Sequence, residues 1–339
     1  MNNTDEQWFD NSIEGLENFW HPVAFAHEVT ADAPTRVELL GRRWVVIRTG
    51  DDIVAFRDEC PHRRASLSKG QLVEGTIECP YHGWRYNLQG QCVLVPALPQ
   101  GSPPPARARL AAAHSVTEHL GLIWMAIEEP VVGLIDWPQW NTAGWDTWWL
   151  ERRSTHVNGG LLTENFMDTT HFAFVHRNSF GAESPSSGVE FSDRDGWRMR
   201  CTYPHVSYQP GLGTVTAQVD TLLQGPFNFW LHLESAGGSR VFTFFLQPVS
   251  ATETRLFLGV GTDTTHGDQA AIDVETKFNN LVYDEDLEVL EDFAEQRLPL
   301  GLRAEISTAA DANLIKYRRM LADIARLTRE TAPPVTQSV

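Results

Sequence analysis

Cysteine is scarce in this chain: Cys60, Cys79, Cys92 and Cys201 are the only four in 339 residues. That number does not make the framework of a small secreted scaffold, and in a reducing compartment such residues serve as metal ligands or buried thiols. Long apolar runs are missing as well, with no stretch approaching the roughly 18 residues of a membrane span. The opening MNNTDEQWFDNS has no basic region followed by an apolar one, so a cytoplasmic protein is expected. Positive charge is short, 27 Lys and Arg against 44 Asp and Glu, for a net charge of −17. This balance argues against nucleic acid or anionic membrane as the main partner and is read as solubility. No G-x-G-x-x-G fingerprint follows a strand, so neither NADH nor flavin is expected on the chain itself.

What is present is an ordinary globular composition, 42% hydrophobic and 21% charged, in a chain long enough for two domains. The run Val37 to Phe56 reads as two strands joined by turn signals at Thr49 to Asp52, and HLGLIWMAI, His119 to Ile127, reads as a further strand. Residues 15–130 are therefore expected to form a small all-β domain. The acidic, Pro-containing segment Glu128 to Trp140 is the expected link. Beyond it, a helical stretch runs to His176 after Asn158, Gly159 and Gly160. Five long strand-like runs follow between Trp197 and Gly261, then helices over Asp268 to Arg297 and Thr308 to Arg329. The expectation is an α+β catalytic domain over 131–330, an antiparallel sheet with helices, and a disordered tail at 331–339.

Two motifs carry chemistry. CPHRRASLSKGQLVEGTIECPYHGWRYN puts Cys60 and His62 on one turn and Cys79 and His82 on another. One thiolate and one imidazole per arm is the donor set of a Rieske [2Fe-2S] centre, where two histidines replace two cysteines on one iron. Cys60 and Cys79 are expected on one iron, His62 and His82 on the other. A structural zinc site also uses two Cys and two His, but it groups C-x2-4-C with H-x3-5-H, whereas here the two types alternate. Cys92 and Cys201 have no such partners and are expected as buried apolar thiols.

The second motif is ENFMDTTHFAFVH, with Asn165, Asp168, His171 and His176. Histidines five apart do not share a helix face, so both reach one metal only if the helix is broken there. A third, carboxylate ligand leaves positions open on iron for O2 and substrate. Along the late helix, Phe278, Val282, Asp286, Val289 and Phe293 form one row, and Asp286 is a carboxylate in an apolar series, which calls for a metal or a cation. Asp284, Glu285 and Glu288 are better explained as a solvated face.

Together, N-x2-D-x2-H-x4-H after the C-x-H and C-x2-H pair resembles the alpha subunit of Rieske non-haem iron oxygenases over nearly the whole chain. It looks closest to the shorter homotrimeric monooxygenase and O-demethylase members. The resemblance implies a Rieske domain followed by a helix-grip catalytic domain, a mononuclear Fe(II) held by His171, His176 and Asp286, and a separate ferredoxin or flavin reductase as electron donor. It also implies a head-to-tail homotrimer in which Asp168 bonds to His171 within the subunit and to His82 of the next, with Asn165 near the iron. Hydroxylation or demethylation of a small organic substrate is favoured over cis-dihydroxylation of an arene. A Rieske electron carrier without oxygenase activity is the alternative from another class.

Several other residues stay open between two readings. Arg63, Arg64, Lys69 and Arg85 are either a basic rim for an acidic electron donor or ordinary surface charge. Of Phe227, Phe229, Trp230, Phe242, Phe244 and Phe245, alternation sends some into a pocket while most pack the core. His205 and His232 are substrate contacts or, as the stronger expectation, structural histidines.

Overall fold

The structure is a computed structural model that describes residues 7–181, 191–209, 213–263, 269–301 and 303–331. The chain forms two compact units, Glu17–Gly133 and a second made of Met1–Leu16 with Leu134–Val339. The boundary lies inside the acidic segment Glu128 to Trp140, and the opening of the chain belongs with the second unit.

The first unit consists of short antiparallel strands. Thr35–Leu39, Arg42–Thr49 and Asp52–Arg57 make one sheet. His21–Phe25, Ser115–His119 and Leu122–Ala126 make another, and Gln71–Val73, Thr76–Glu78, Arg85–Tyr86 and Cys92–Leu94 a third. Val37 to Phe56 therefore spans three strands rather than two, and His119 to Ile127 is not one strand but is broken. Both breaks fall at a Leu-Gly pair, Leu40–Gly41 with φ of 51° and 69° and Leu120–Gly121 with φ of 55° and 74°. Positive φ at both central residues gives the tight hairpin whose twist matches its strands. Leucine hides that signal, because turn recognition leans on Asn, Asp and Gly. Along Arg42–Thr49, Trp44 and Val46 pack into one core while Val45 and Ile47 enter a second core that also contains Cys60, Cys79 and Tyr86. A strand apolar on both faces thus supports the layer carrying the cysteines.

In the second unit, Trp145–Trp149 (β1), Arg153–Thr155 (β2), Phe191–Asp195 (β3), Arg198–Gln209 (β4), Gly213–Gln224 (β5), Asn228–Ser235 (β6), Gly238–Ser250 (β7) and Glu253–Asp263 (β8) form one antiparallel sheet. Its order is β1-β8-β7-β6-β5-β4-β3, with β2 also paired to β8. β4 to β8 coincide with the five long runs of the sequence. Helices α1 (Gly159–Met167), α2 (Gln269–Leu290) and α3 (Ala312–Thr331) complete the helix-grip arrangement.

The start of α1 is fixed by close packing. The Asn158 side chain accepts from the amides of Gly160 and Leu161 and donates to Phe9 O at 2.9 Å, while Asn11 accepts from Gly159 N at 3.0 Å. A Cβ on Gly159 would meet the Phe227 ring at 2.9 Å, and one on Gly160 the Phe9 ring at 3.0 Å, so glycine is required at both. Further along, Arg318 of α3 holds Glu164 of α1 through two hydrogen bonds of 2.8 and 2.5 Å. That fork anchors the helix whose far end leads to Asp168, His171 and His176.

Three expectations about helices are corrected. α1 does not run on to His176 but stops at Met167, because Asp168 is extended (φ −78°, ψ 134°). α2 ends at Leu290 rather than Arg297, where the Gln296 side chain donates to Leu290 O at 2.9 Å. α3 starts at Ala312, after a reciprocal cap in which Thr308 Oγ1 accepts from Ala310 N and Asp311 accepts from Thr308 N. Of the expected tail, Thr331 closes α3 and residues 332–339 lie outside the described residues.

Candidate metal centres

In the first unit, two loops of the same build carry the Cys and His residues. Cys60 N donates to Ala65 O at 2.9 Å and Arg64 N to Cys60 O at 2.8 Å; Cys79 N donates to Trp84 O at 2.8 Å and Gly83 N to Cys79 O at 3.0 Å. The equivalent fifth positions, Arg64 and Gly83, both have positive φ, 61° and 68°. The histidine follows its cysteine by two residues in one loop and three in the other. The two imidazoles nevertheless meet, with ring centroids 4.6 Å apart.

Both cysteines are buried, and the Tyr86 hydroxyl lies 3.3 Å from Cys60 Sγ. Burial pushes the Cys79 thiol up, and the backbone amides of Tyr81 and His82 act in the opposite sense. His62 Nδ1 is buried with no hydrogen-bond partner, and its ring stacks on Trp84 at 4.5 Å. Buried thiols, amides directed at sulfur and an unpartnered ring nitrogen suit a [2Fe-2S] cluster. The basic rim is partly neutralised: Arg85 pairs with Glu78 at 2.6 Å and Arg64 with Glu59 at 3.3 Å, while Arg63 and Lys69 are exposed. Cys92 is half-buried, not buried, and Cys201 is buried among the polar groups of Ser192, Asn313 and Thr221, so neither is a thiol in a purely apolar pocket.

In the second unit, the break after Met167 brings the two histidines together. Asp168 Oδ1 accepts from Thr170 N and Thr170 Oγ1, both at 2.8 Å, which turns the chain into a single 3-10 turn, His171–Ala173. His171 Nε2 and His176 Nε2 then lie 3.2 Å apart, and Asp286 Oδ1 lies 3.4 Å from the first and 3.1 Å from the second. Ligands about 2.1 Å from one ion stand about 3.0 to 3.4 Å from each other, so these atoms are spaced as adjacent ligands of a single metal. Asp286 Oδ1 is buried and has no hydrogen-bond donor on it. Two His and one carboxylate form the three-sided donor set that leaves positions open on Fe(II).

The distal nitrogens are held too. His171 Nδ1 lies 3.3 Å from Asp168 Oδ2, and His176 Nδ1 lies 2.8 Å from Glu285 Oε2, which also accepts from Ser179 Oγ at 2.7 Å. Burial pushes the Asp286 carboxyl up, but the two imidazoles overcome it and bring it down to about 2. Burial lowers His171 and the two aspartates outweigh it, raising the ring to about 9. Glu285 is the residue the sequence reading misplaced, since it faces inward rather than solvent. Asp284 is ion-paired with Arg153 and Glu288 is exposed. The expected apolar row holds only in part: Phe278 and Val282 line the cavity with Asp286, whereas Val289 and Phe293 are exposed.

Above the three donor atoms is a cavity of about 380 Å3, within the range of small-molecule sites. Phe242 and Phe244 line it, but Phe227, Phe229, Trp230 and Phe245 do not. Phe244 stacks on Phe166 of α1 at 4.5 Å. Asn165 lines the cavity with its buried Nδ2 unpartnered, and so does the Tyr283 hydroxyl. His205 faces the cavity and burial lowers it to about 4, while His232 is outside the lining, beside Trp145 and Trp230.

Comparison with known families identifies both units. Residues 19–115 match the Rieske [2Fe-2S] domain, and residues 155–327, half of the chain, match the vanillate O-demethylase oxygenase C-terminal domain. The chain is a Rieske oxygenase. Methylxanthine N1-demethylase NdmA of Pseudomonas putida is 29% identical over 334 residues, covering 94% of this chain and 91% of that one. The solved structure of P. putida NdmA with caffeine superposes with a TM-score of 0.82 at 28% identity, over 95% of this chain and 94% of that one. Dicamba monooxygenase bound to dicamba shares the fold, with a TM-score of 0.76 at 21% identity over 93% and 99% of the two chains. As a terminal oxygenase the chain works with a Rieske cluster and a mononuclear iron. No helix among the described residues is long and apolar enough to cross a membrane.

Proposed function

We propose that this Rieske oxygenase is a monooxygenase that removes an N- or O-methyl group from a small aromatic or heteroaromatic substrate, or hydroxylates it. Its electrons come one at a time from NAD(P)H through a separate ferredoxin or flavin reductase. The observation that carries the reading is the convergence of His171, His176 and Asp286 within 3.1 to 3.4 Å at the floor of an apolar cavity. The demethylation reading draws on the full-length likeness to the methylxanthine demethylase.

In this proposal the first unit carries electrons, with Cys60 and Cys79 on one iron of the cluster and His62 and His82 on the other. The second unit is catalytic, with His171, His176 and Asp286 holding Fe(II), which supplies O2 activation when bound. Asp168 and Glu285 orient the two imidazoles from behind. The phenyl walls exclude water and align the substrate, and Asn165 offers it an amide donor from the last turn of α1. For demethylation the balance is R–CH3 plus O2, two electrons and two protons giving R–H, formaldehyde and water. We assign a homotrimer in which Asp168 meets His82 of a neighbouring copy. His82 is exposed and the Asp168 side chain is 23% exposed, as such a contact requires. A cytoplasmic setting suits four cysteines that form no disulfide.

The test is iron and acid-labile sulfide per chain, an EPR spectrum after dithionite, and formaldehyde release from N- and O-methyl heteroaromatics with a reductase. About three irons and two sulfides per chain with a Rieske signal and substrate-dependent formaldehyde or hydroxylated product are expected. About two irons, with no further uptake on reconstitution, would reduce the protein to an electron carrier.

A further inference from the structure

The charges around the cavity bear on what it admits. Among the described residues lining it, Arg240 is the one lysine or arginine, and the segments 182–190, 210–212 and 264–268 contain neither type. Arg240, on β7, donates its Nε to Glu275 Oε1 of α2 at 2.8 Å, with the two side chains 23% and 21% exposed. Glu275 belongs to the same wall, so the one lysine or arginine among the described lining residues is neutralised within it. The nearby polar atoms of Asn165 and His205 are uncharged, the latter because burial keeps the ring neutral at neutral pH. At the floor, Asp286 faces the metal position directly while Asp168 and Glu285 stand behind the two imidazoles, so a divalent ion there leaves no excess positive charge. A carboxylate entering this space would be buried with no unpaired lysine or arginine to meet it, and its lost hydration would go uncompensated.

We infer that the cavity selects electrically neutral aromatic or heteroaromatic substrates and rejects carboxylates, with Glu275 setting that choice by holding Arg240. The inference rests on the oxygenase reading above and narrows its substrate class. Calorimetric titration of iron-loaded, cluster-containing protein with 4-methoxybenzamide and 4-methoxybenzoate reads it directly. The amide is expected to bind at least about tenfold tighter. E275Q, which frees Arg240, moves the ratio at least about tenfold toward the benzoate, and R240Q, which leaves Glu275 unmatched, raises affinity for 4-methoxybenzylammonium instead. Melting curves confirm that both variants fold. Equal or benzoate-favouring binding by the wild type, or a preference that neither variant moves, overturns the inference. Iron, sulfide and EPR of the same samples report separately on the oxygenase reading: both centres present with a carboxylate preference sinks only the substrate class.

Discussion

The two metal-binding regions of this molecule are built in opposite ways. In the first unit the Cys and His residues sit close together in sequence on two loops, and each loop is shaped by the same pair of backbone hydrogen bonds. In the second unit His171 and Asp286 are far apart in the chain and are brought together by α1, α2 and the packing between them. There the support comes from side chains, Asp168 and Glu285, on the outer ring nitrogens. A backbone frame tolerates distant substitutions. A centre assembled from the turn that follows α1 and from α2 inherits every weakness in the packing of those elements.

The largest separation of the two is expected from H171A or H176A, which should lower product formation at least about a thousandfold and remove the mononuclear iron while the Rieske EPR signal persists. Loss of the cluster signal in either variant would break the comparison. Acid should also act on the second unit. Burial holds His205 at about 4 against an ordinary 6.5, so between those values the unfolded chain binds a proton that the folded one does not. Stability therefore falls as pH drops from 6.5 toward 4, by up to ~3 kcal/mol, and H205Q should flatten that part of a melting-temperature profile. Next comes E285A, expected to weaken Co(II) binding about 10- to 100-fold in a competition titration, with E285Q recovering part of it. D168N should cost the metal less, because Asp168 stands farther from its imidazole, 3.3 Å against 2.8 Å for Glu285. The smallest effects test the two loops against each other. G83A places a Cβ at φ 68°, 3.1 Å from Pro96, and should cost about 1 to 2 kcal/mol in urea unfolding, whereas R64G at φ 61° should gain about 0.5 to 1 kcal/mol.

The same contrast explains what could be read from the sequence. Cys60, His62, Cys79 and His82 declare themselves because their spacing is local, and a loop needs little of the rest of the fold to form. Asp286 was reachable through helical periodicity, since one carboxylate in an apolar row is conspicuous. Glu285 was not, because an acidic residue beside two aspartates looks solvated until His176 and Ser179 are seen beside it. The end of α1 was foreseen only as a geometric necessity; the extended backbone and side-chain turn of Asp168 that cause it are tertiary facts. Leu40–Gly41 and Leu120–Gly121 escaped for another reason: leucine rarely takes positive φ, and only the strands on either side force it there. The charge balance of the cavity also lay out of reach, as Arg240 and Glu275 belong to different elements.

The route of the chain through its two units has a consequence for how such a protein can be rearranged. Glu17–Gly133 interrupts a second unit made of the residues before and after it. Its ends lie side by side: Glu128 N donates to Glu17 O at 2.9 Å, Val131 N to Asn18 O at 3.0 Å, and the Asn18 side chain to Glu129 O at 3.0 Å. In genetic terms the Rieske unit is a cassette with both borders at one point. A short peptide spliced between Asn18 and Val131 would close the gap, and a foreign module with adjacent termini could be set into the same place without rerouting the sheet of the second unit.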